Sequence, residues 1–338
     1  MQKPLDGKVA LVAGATRGAG RGIARALGEA GAIVYCSGRS TRSHPATGNR
    51  PETIDETAEL IERDGGRAIA VQTDHRDVDQ VRRLIERIRS EQGKLNVLVN
   101  DIWGGDAWMD WWWKEMTFWK IPLERGFAVI DTAFKTHVIT AHEAIPLMLE
   151  SDSGLIAGIT DGDAYYYRGQ FYYDFVKTNV IRMAFALAHE LRKSNITCVA
   201  LTPGFLRSES MLENMRVTEA NWRDAAEKRP EWGESETPLF VGRAVAALAA
   251  DPNVKEKSGR VYNSAELADE YKFTDTDGRV PKVWEYITEH MPHFPYKKLD
   301  DTFYAYWGGF SEGIDDEMKR IQEEIAEAER SRDGVVSS

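Results

Sequence analysis

Short apolar runs alternate with segments of helical periodicity along the first 263 or so residues, and that alternation leaves few folds open. Residues 8–13 form a short apolar run that ends in glycine. Residues 18–30 follow with Ile23, Ala26, Leu27 and Ala30 at helical spacing. Strand-like runs recur at 32–36, 68–71, 95–99, 155–159, 196–201 and 260–262. Helical patterns separate them at 54–63, 78–89, 127–149, 171–191 and 239–249. Strict alternation of this kind predicts a parallel sheet with right-handed crossovers and helices on both faces. The expected fold class is α/β, a Rossmann-type doubly wound sheet of about seven strands with a C-terminal extension. The expected division is a main domain over 1–264, with a Trp-rich loop at 102–121 and a covering segment at 205–236, and an extension over 265–338.

Ligands of such sheets bind outside the carboxyl ends of the strands. The chain places its chemistry-bearing residues there. After the first strand comes Gly14-Ala15-Thr16-Arg17-Gly18-Ala19-Gly20. Gly14 suits a tight turn, while Gly18 and Gly20 allow close backbone approach. The following helix start offers free N–H groups and a partial positive charge to a pyrophosphate. The second strand ends Ser37-Gly38-Arg39, with no carboxylate for the ribose hydroxyls of NAD. Arg17 and Arg39 suit a 2′-phosphate, so NADP(H) is favoured over NAD(H). Asp74 and His75 follow the third strand, with Asp74 placed to meet the adenine, and Asn100 follows the fourth.

Tyr173 and Lys177 are four apart on a predicted helix and share a face. A nearby ammonium lowers the pKa of a phenol, which yields a proton donor and acceptor usable near neutral pH. Near the end of the fifth strand stands Thr160-Asp161, and after the sixth Pro203-Gly204, followed by Ser208.

Together these residues resemble the short-chain dehydrogenase/reductase family over about residues 5–263. The resemblance implies that Tyr173 protonates a carbonyl oxygen as hydride arrives, and that Lys177 lowers its pKa and binds the nicotinamide ribose. It implies that Pro203 and Gly204 flank the nicotinamide and that Ser208 contacts its amide or phosphate. Thr16 belongs to the same cofactor set. Three departures stand out. The family's Asn-Asn-Ala-Gly turn reads Asn100-Asp101-Ile102-Trp103. The family's catalytic serine is replaced by Thr160 or Asp161. The helix asparagine that anchors the family's proton relay is replaced by Ala133. Thr160 would polarise a neutral carbonyl, whereas Asp161 would stabilise a cationic group such as an iminium or amine.

Six of the ten tryptophans fall between Ile102 and Ile121, beside the expected nicotinamide position. Trp103, Trp108, Trp111 and Trp112 are candidates for an aromatic substrate wall. Met211, Met215 and Trp222 are expected to cover the site from the other side. Past residue 265, Ile314, Met318, Ile321 and Ile325 make one apolar stripe on an acidic helix.

The formal net charge is −11, which argues against a nucleic-acid partner. No apolar run approaches the roughly 18 residues of a membrane span, and the polar first eight residues do not read as a signal peptide. Cys36 and Cys198 sit in apolar strand-like runs and read as core residues in a cytoplasmic protein. His290 and His293 lack partner ligands, so no metal is expected. The expected activity is NADP(H)-dependent hydride transfer at a carbonyl or imine carbon of a small, possibly aromatic molecule. The rival is an NADP-binding sensor or scaffold without catalysis; a third reading is dehydration or isomerisation on the same fold. Homo-oligomers, dimer or tetramer, are implied by the resemblance alone.

Overall fold

The computed structural model describes residues 3–46, 50–108, 117–151, 153–291, 297–308 and 319–325. Seven strands form one sheet: β1 (Val9–Ala13), β2 (Ile33–Gly38), β3 (Arg67–Gln72), β4 (Val97–Asn100), β5 (Gly154–Ile159), β6 (Ile196–Thr202) and β7 (Val261–Asn263). Their order is β3-β2-β1-β4-β5-β6-β7, and every pairing is parallel. β1, β4 and β6 are buried along their whole length. Strands covered on both faces read as continuous apolar runs for this reason.

Chain order runs outward from β1 in one direction and from β4 in the other. The switch point therefore lies between β1 and β4, where Ala13 pairs with Asn100. A crevice opens at the carboxyl end of such a switch point. One apolar layer packs Ile23 and Leu27 of α1 (Gly18–Glu29) and Val241, Val245 and Leu248 of α8 (Pro238–Ala250) against the sheet. The opposite layer uses Leu84 and Ile88 of α3 (Val78–Gln92) with Ala144 and Leu147 of α5 (Thr136–Leu149). Each fully buried Leu or Ile contributes about 1.5–3 kcal/mol relative to exposure. α2 (Ile54–Arg63) is started by Thr53, whose hydroxyl accepts from Glu56 N–H.

The long helix expected over 127–149 is interrupted. α4 (Leu123–Ile130) passes into a π-helical stretch at Asp131–Lys135 before α5 begins. The Thr132 hydroxyl donates to Ala128 O at 2.7 Å, and Thr136 to Thr132 O at 2.9 Å. Such back-bonding competes with the regular ladder and bends helices. Ala133 sits buried inside this stretch.

The chain divides into two units, Met1–Lys297 and Lys298–Ser338. The first thus extends past the expected boundary at residue 264. The cause is burial: α9 (Ser264–Tyr271) places Leu267 in the main core, and α10 (Val283–His290) buries Val283, Trp284 and Ile287 beside Phe205. In the second unit, α11 (Asp301–Gly308) and a helical stretch at 319–325 are described. Of the expected apolar stripe, Ile321 and Ile325 are exposed, whereas Ile314 and Met318 lie outside the described residues.

Candidate active site

The crevice is lined first by the turn between β1 and α1. Gly14 has φ +97°, and a Cβ there would stand 2.4 Å from Asp101 O. A Cβ on Gly20 would stand 2.2 Å from Gly14 O. Neither position admits a side chain, so the turn is held as a bare backbone cradle. Gly38 closes it from β2, where an added Cβ would lie 2.7 Å from Thr16 Oγ1. The N–H of Gly18, the first residue of α1, donates to Glu209 Oε2 at 2.8 Å. A protein carboxylate thus already uses the donor that helix starts offer to anions. Sequence reasoning missed Glu209, because no spacing rule ties it to a residue 191 positions away.

Arg39 projects from the end of β2. Burial lowers its pKa first, and the neighbouring cations Arg76 and Arg17 lower it further. Among the described residues no carboxylate forms an ion pair with it. Asp74 is taken by Arg76, which donates to it from the backbone at 3.0 Å and from the guanidinium at 2.5 Å. Arg17 reaches Asp106 at 3.5 Å. The side chain of His75, a residue expected among the cofactor ligands, is buried. Its two ring nitrogens meet Ser37 Oγ at 2.9 Å and Thr140 Oγ1 at 2.8 Å. Burial lowers its pKa to about 3, so the ring is a neutral bridge inside the core.

Asn100 is buried, with Nδ2 donating to His137 O at 3.5 Å and Oδ1 left without a partner. A buried unpaired amide oxygen costs free energy and marks a place for a donor. His137 donates from Nε2 to Ile102 O at 3.1 Å, and burial lowers its pKa to about 4. Asp101 accepts from Gly20 N–H beneath the glycine turn. Burial raises its carboxyl to about 7, opposed by the nearby Lys177 and Arg17.

Tyr173 and Lys177 lie in the first two turns of α6 (Phe171–Glu190), which is capped by Gln170 accepting from Tyr173 N–H. The Tyr173 hydroxyl donates to Asp161 Oδ2 at 2.7 Å. Lys177 Nζ lies 5.1 Å from the Trp103 ring centre and 5.7 Å from that of Tyr173. The expected lowering of the tyrosine pKa by this lysine does not occur. Tyr173 is raised well above the ordinary phenol value, by burial first and then by Asp161, whose carboxylate accepts the hydrogen bond from its hydroxyl. Lys177 is itself lowered by burial, against the pull of Asp161, Asp101 and Asp106.

The geometry separates Thr160 from Asp161. The Thr160 hydroxyl donates to the Lys177 backbone carbonyl at 2.7 Å and is buried against α6. It is therefore spent on the helix and not turned toward Tyr173. Asp161 holds the position facing the tyrosine. The loop behind it is organised by Arg168, a residue that no sequence signal marked. Its guanidinium donates to the backbone carbonyls of Asp161, Gly162, Ala164 and Tyr166, and also to Asp174 and Thr178.

Pro203 and Gly204 follow β6 on the same side. The Gly204 N–H donates to Glu236 Oε2 at 2.8 Å, and Ser264 Oγ donates to the same oxygen at 2.6 Å. Glu236 is 1% exposed, and burial raises its pKa to about 8. Ser208 caps α7 (Glu209–Met215) by accepting from Met211 N–H, and its Cβ lies 3.6 Å from where a Gly18 Cβ would be. Met211 and Met215 are half-buried. Trp222 is buried between the guanidiniums of Arg207, Arg223 and Arg279, 4.1, 4.4 and 5.0 Å from its ring centre. Its ring is thus taken by protein cations rather than presented to a ligand.

Of the candidate substrate tryptophans, Trp103 stands edge-on to Tyr173 at 5.4 Å, and its indole N–H donates to Asp106 at 2.5 Å. Trp108 is 39% exposed. Trp111 and Trp112 lie outside the described residues, as does His293. His290 donates to Tyr286 O, and among the described residues no cluster of His, Cys, Asp and Glu suits a metal. Cys36 and Cys198 are free and buried, each thiol pushed up to about 12 by burial. Among the described residues no helix is long and apolar enough to cross a membrane.

The arrangement was compared with known proteins. The short chain dehydrogenase family model matches residues 8–219, more than half of the chain. Human "Dehydrogenase/reductase SDR family member 1" is 32% identical over 296 residues, covering 87% of this chain and 91% of its own length. A 3-oxoacyl-[acyl-carrier-protein] reductase of Synechocystis is 30% identical, covering 77% of this chain and 96% of its own. Among solved structures, a short chain dehydrogenase from Mycobacterium thermoresistibile superposes with TM-score 0.67 at 21% identity, over 83% of this chain and 95% of that one.

Proposed function

Because the chain belongs to the short-chain dehydrogenase/reductase family of NAD(P)-linked oxidoreductases, we propose that it moves hydride between NADP(H) and a carbonyl or imine carbon of a small, possibly aromatic substrate. The carrying observation is Asp101, which joins the two halves of the site. It accepts from Gly20 N–H on the glycine turn and faces the Lys177 ammonium beside Tyr173. The proton-bearing pair and the cradle are thereby parts of one crevice.

The residues present fit a dinucleotide. The cradle at Gly14 and Gly20 excludes any Cβ, the Gly18 N–H already serves a carboxylate, and Asn100 Oδ1 is an unmatched acceptor. When bound, the nicotinamide supplies or takes the hydride. Gly14, Thr16, Gly18 and Gly20 would hold the pyrophosphate, and Pro203, Gly204 and Ser208 the nicotinamide end. Arg39 supports NADP(H): it has no ion-paired carboxylate among the described residues and lies in the field of Arg17 and Arg76. A 2′-phosphate would relieve that repulsion.

Tyr173 carries the proton. Its raised pKa keeps it protonated at neutral pH, ready to donate in the reductive direction. Lys177 orients the ribose and balances the carboxylates around it. Trp103 walls the Tyr173–Lys177 side. Self-association belongs to the same proposal, supported by exposed Phe118, Leu123, Phe127, Phe171 and Phe175; sedimentation of the pure protein tests it.

The test is NADPH consumption against a panel of aromatic ketones, aldehydes, diketones and cyclic imines, with Tyr173→Phe and Arg39→Ala alongside. Turnover of the ketones and aldehydes abolished in the first variant, and an NADPH-over-NADH ratio reduced in the second, support the proposal. Equal use of both cofactors by the native protein overturns the NADP(H) assignment. The Thr160 hydroxyl, spent on Lys177 O, favours one other reading, a cofactor-binding sensor without catalysis. Tight NADPH binding with no turnover across the panel is its signature.

A further inference from the structure

We propose that Asp161 is a cation-recognition residue that makes iminium compounds, rather than neutral ketones, the preferred substrates; this deepens, and rests on, the hydride-transfer reading above. The argument starts from the charges around the Tyr173 hydroxyl. Asp161 Oδ2 accepts that hydroxyl at 2.7 Å. The guanidinium of Arg168 binds the Asp161 backbone carbonyl, not its carboxylate. The guanidinium spends its other donors on loop carbonyls, Asp174 and Thr178. Among the described residues, therefore, Asp161 forms no ion pair.

Two further carboxylates, Asp101 and Asp106, join Asp161 in the field of Lys177. Thr160, the neutral hydroxyl that would polarise a ketone, points into the helix. A ketone oxygen placed against Tyr173 would develop negative charge next to the Asp161 carboxylate, which opposes that charge. A cationic C=N carbon loses its charge as hydride arrives, and its ground state is attracted by the same carboxylate. Trp103 stands edge-on to Tyr173 beside these groups, 5.4 Å between ring centres.

The reaction balances. As hydride from the reduced nicotinamide adds to the iminium carbon, the C=N π pair becomes the nitrogen lone pair, the cofactor is oxidised by two electrons, and a neutral amine leaves. No proton is needed from the protein in that step, so the Tyr173 hydroxyl can remain on Asp161.

The experiment compares a permanently charged iminium, N-methyl dihydroisoquinolinium, with the neutral ketone tetralone, using NADPH and native protein, Asp161→Asn and Asp161→Ser. The asparagine is isosteric and still accepts from Tyr173, and the serine restores the family hydroxyl. Both variants are expected to lose about tenfold or more in kcat/KM for the iminium while tetralone reduction holds or rises. Calorimetric binding of the tertiary amine N-methyl tetrahydroisoquinoline, protonated in solution, in the presence of NADP+ should weaken by a similar factor in both variants. Equal loss on both substrates, or amine binding indifferent to residue 161, overturns the proposal. Amine binding that depends on Asp161 with no turnover of either substrate supports the cation site and overturns the hydride-transfer reading instead.

Discussion

Glu209 presses its carboxylate onto the first N–H of α1: Oε2 lies 2.8 Å from Gly18 N, and Oε1 lies 3.6 Å from Arg21. That donor is also where a cofactor phosphate is expected. Binding must therefore displace a negative group that α7 carries. Glu209→Gln should tighten NADP(H) several-fold, because a neutral amide competes less well for a helix start. Fluorescence titration of both proteins at one pH checks it. An unchanged or weaker affinity in the variant would mean that Glu209 supports the cofactor rather than blocking it.

Tyr173 gives a pH prediction whose sign is opposite to the one its lysine alone suggests. Its pKa is raised by burial and by Asp161, so the protonated phenol persists above the ordinary value of about 10. Reduction should stay flat through neutral and mildly alkaline pH. Oxidation of an alcohol needs the phenolate and should climb with pH. Asp161→Asn removes the negative neighbour and should move that oxidative limb to lower pH. A pH profile of kcat/KM for alcohol oxidation decides it.

Glu236 predicts a stability effect remote from the chemistry. Its folded pKa of about 8 lies above its ordinary 4.5, raised by burial first. The stability tied to its protonation is complete below about 4.5 and is lost as pH rises through about 8. Glu236→Gln keeps an acceptor for Gly204 N–H and Ser264 but cannot ionise. Its melting temperature should match the native protein near pH 4.5 and exceed it by several degrees at pH 8. Asp275 and Arg207 act on the same group in opposite senses, so both belong in control variants.

Arg168 organises the loop that carries Asp161. Arg168→Lys keeps one charge but loses the fork that satisfies four backbone carbonyls. The variant should lose about tenfold or more in kcat through misplacement of Asp161 and Tyr173, with cofactor affinity nearly unchanged. Separate measurement of kcat and cofactor Kd distinguishes this from general loss of folding.

The alternation of apolar runs was enough to write down seven parallel strands, because a sheet covered on both faces leaves a continuous apolar signature in each strand. The glycine turn and the Tyr173–Lys177 pair were legible because their spacing is local. Other features depend on contacts that sequence does not carry. Thr160 and Asp161 are neighbours, and consecutive side chains at a strand end point to opposite sides. Which one meets Tyr173 is settled by how β5 sits against α6. His75 follows β3 and so looked like a ligand, yet hydroxyls from Ser37 and Thr140, far apart in sequence, take both its nitrogens. The tyrosine's pKa was misjudged because the lysine four residues on was visible, whereas the accepting carboxylate and the burial were not. The π-helical stretch needed the threonine back-bonds, which propensity alone does not reveal.

The central claim is that hydride passes between a nicotinamide and the substrate in the crevice where Tyr173 meets Asp161. Its most direct measurement is a single turnover with NADPH deuterated at the transferring position, followed by mass analysis of the product. With a ketone substrate such as tetralone, the account predicts one deuterium in the product of the native protein and no product from Tyr173→Phe, with NADPH binding intact in both. Product formed without label, or NADPH bound and never oxidised across the substrate panel, would contradict it.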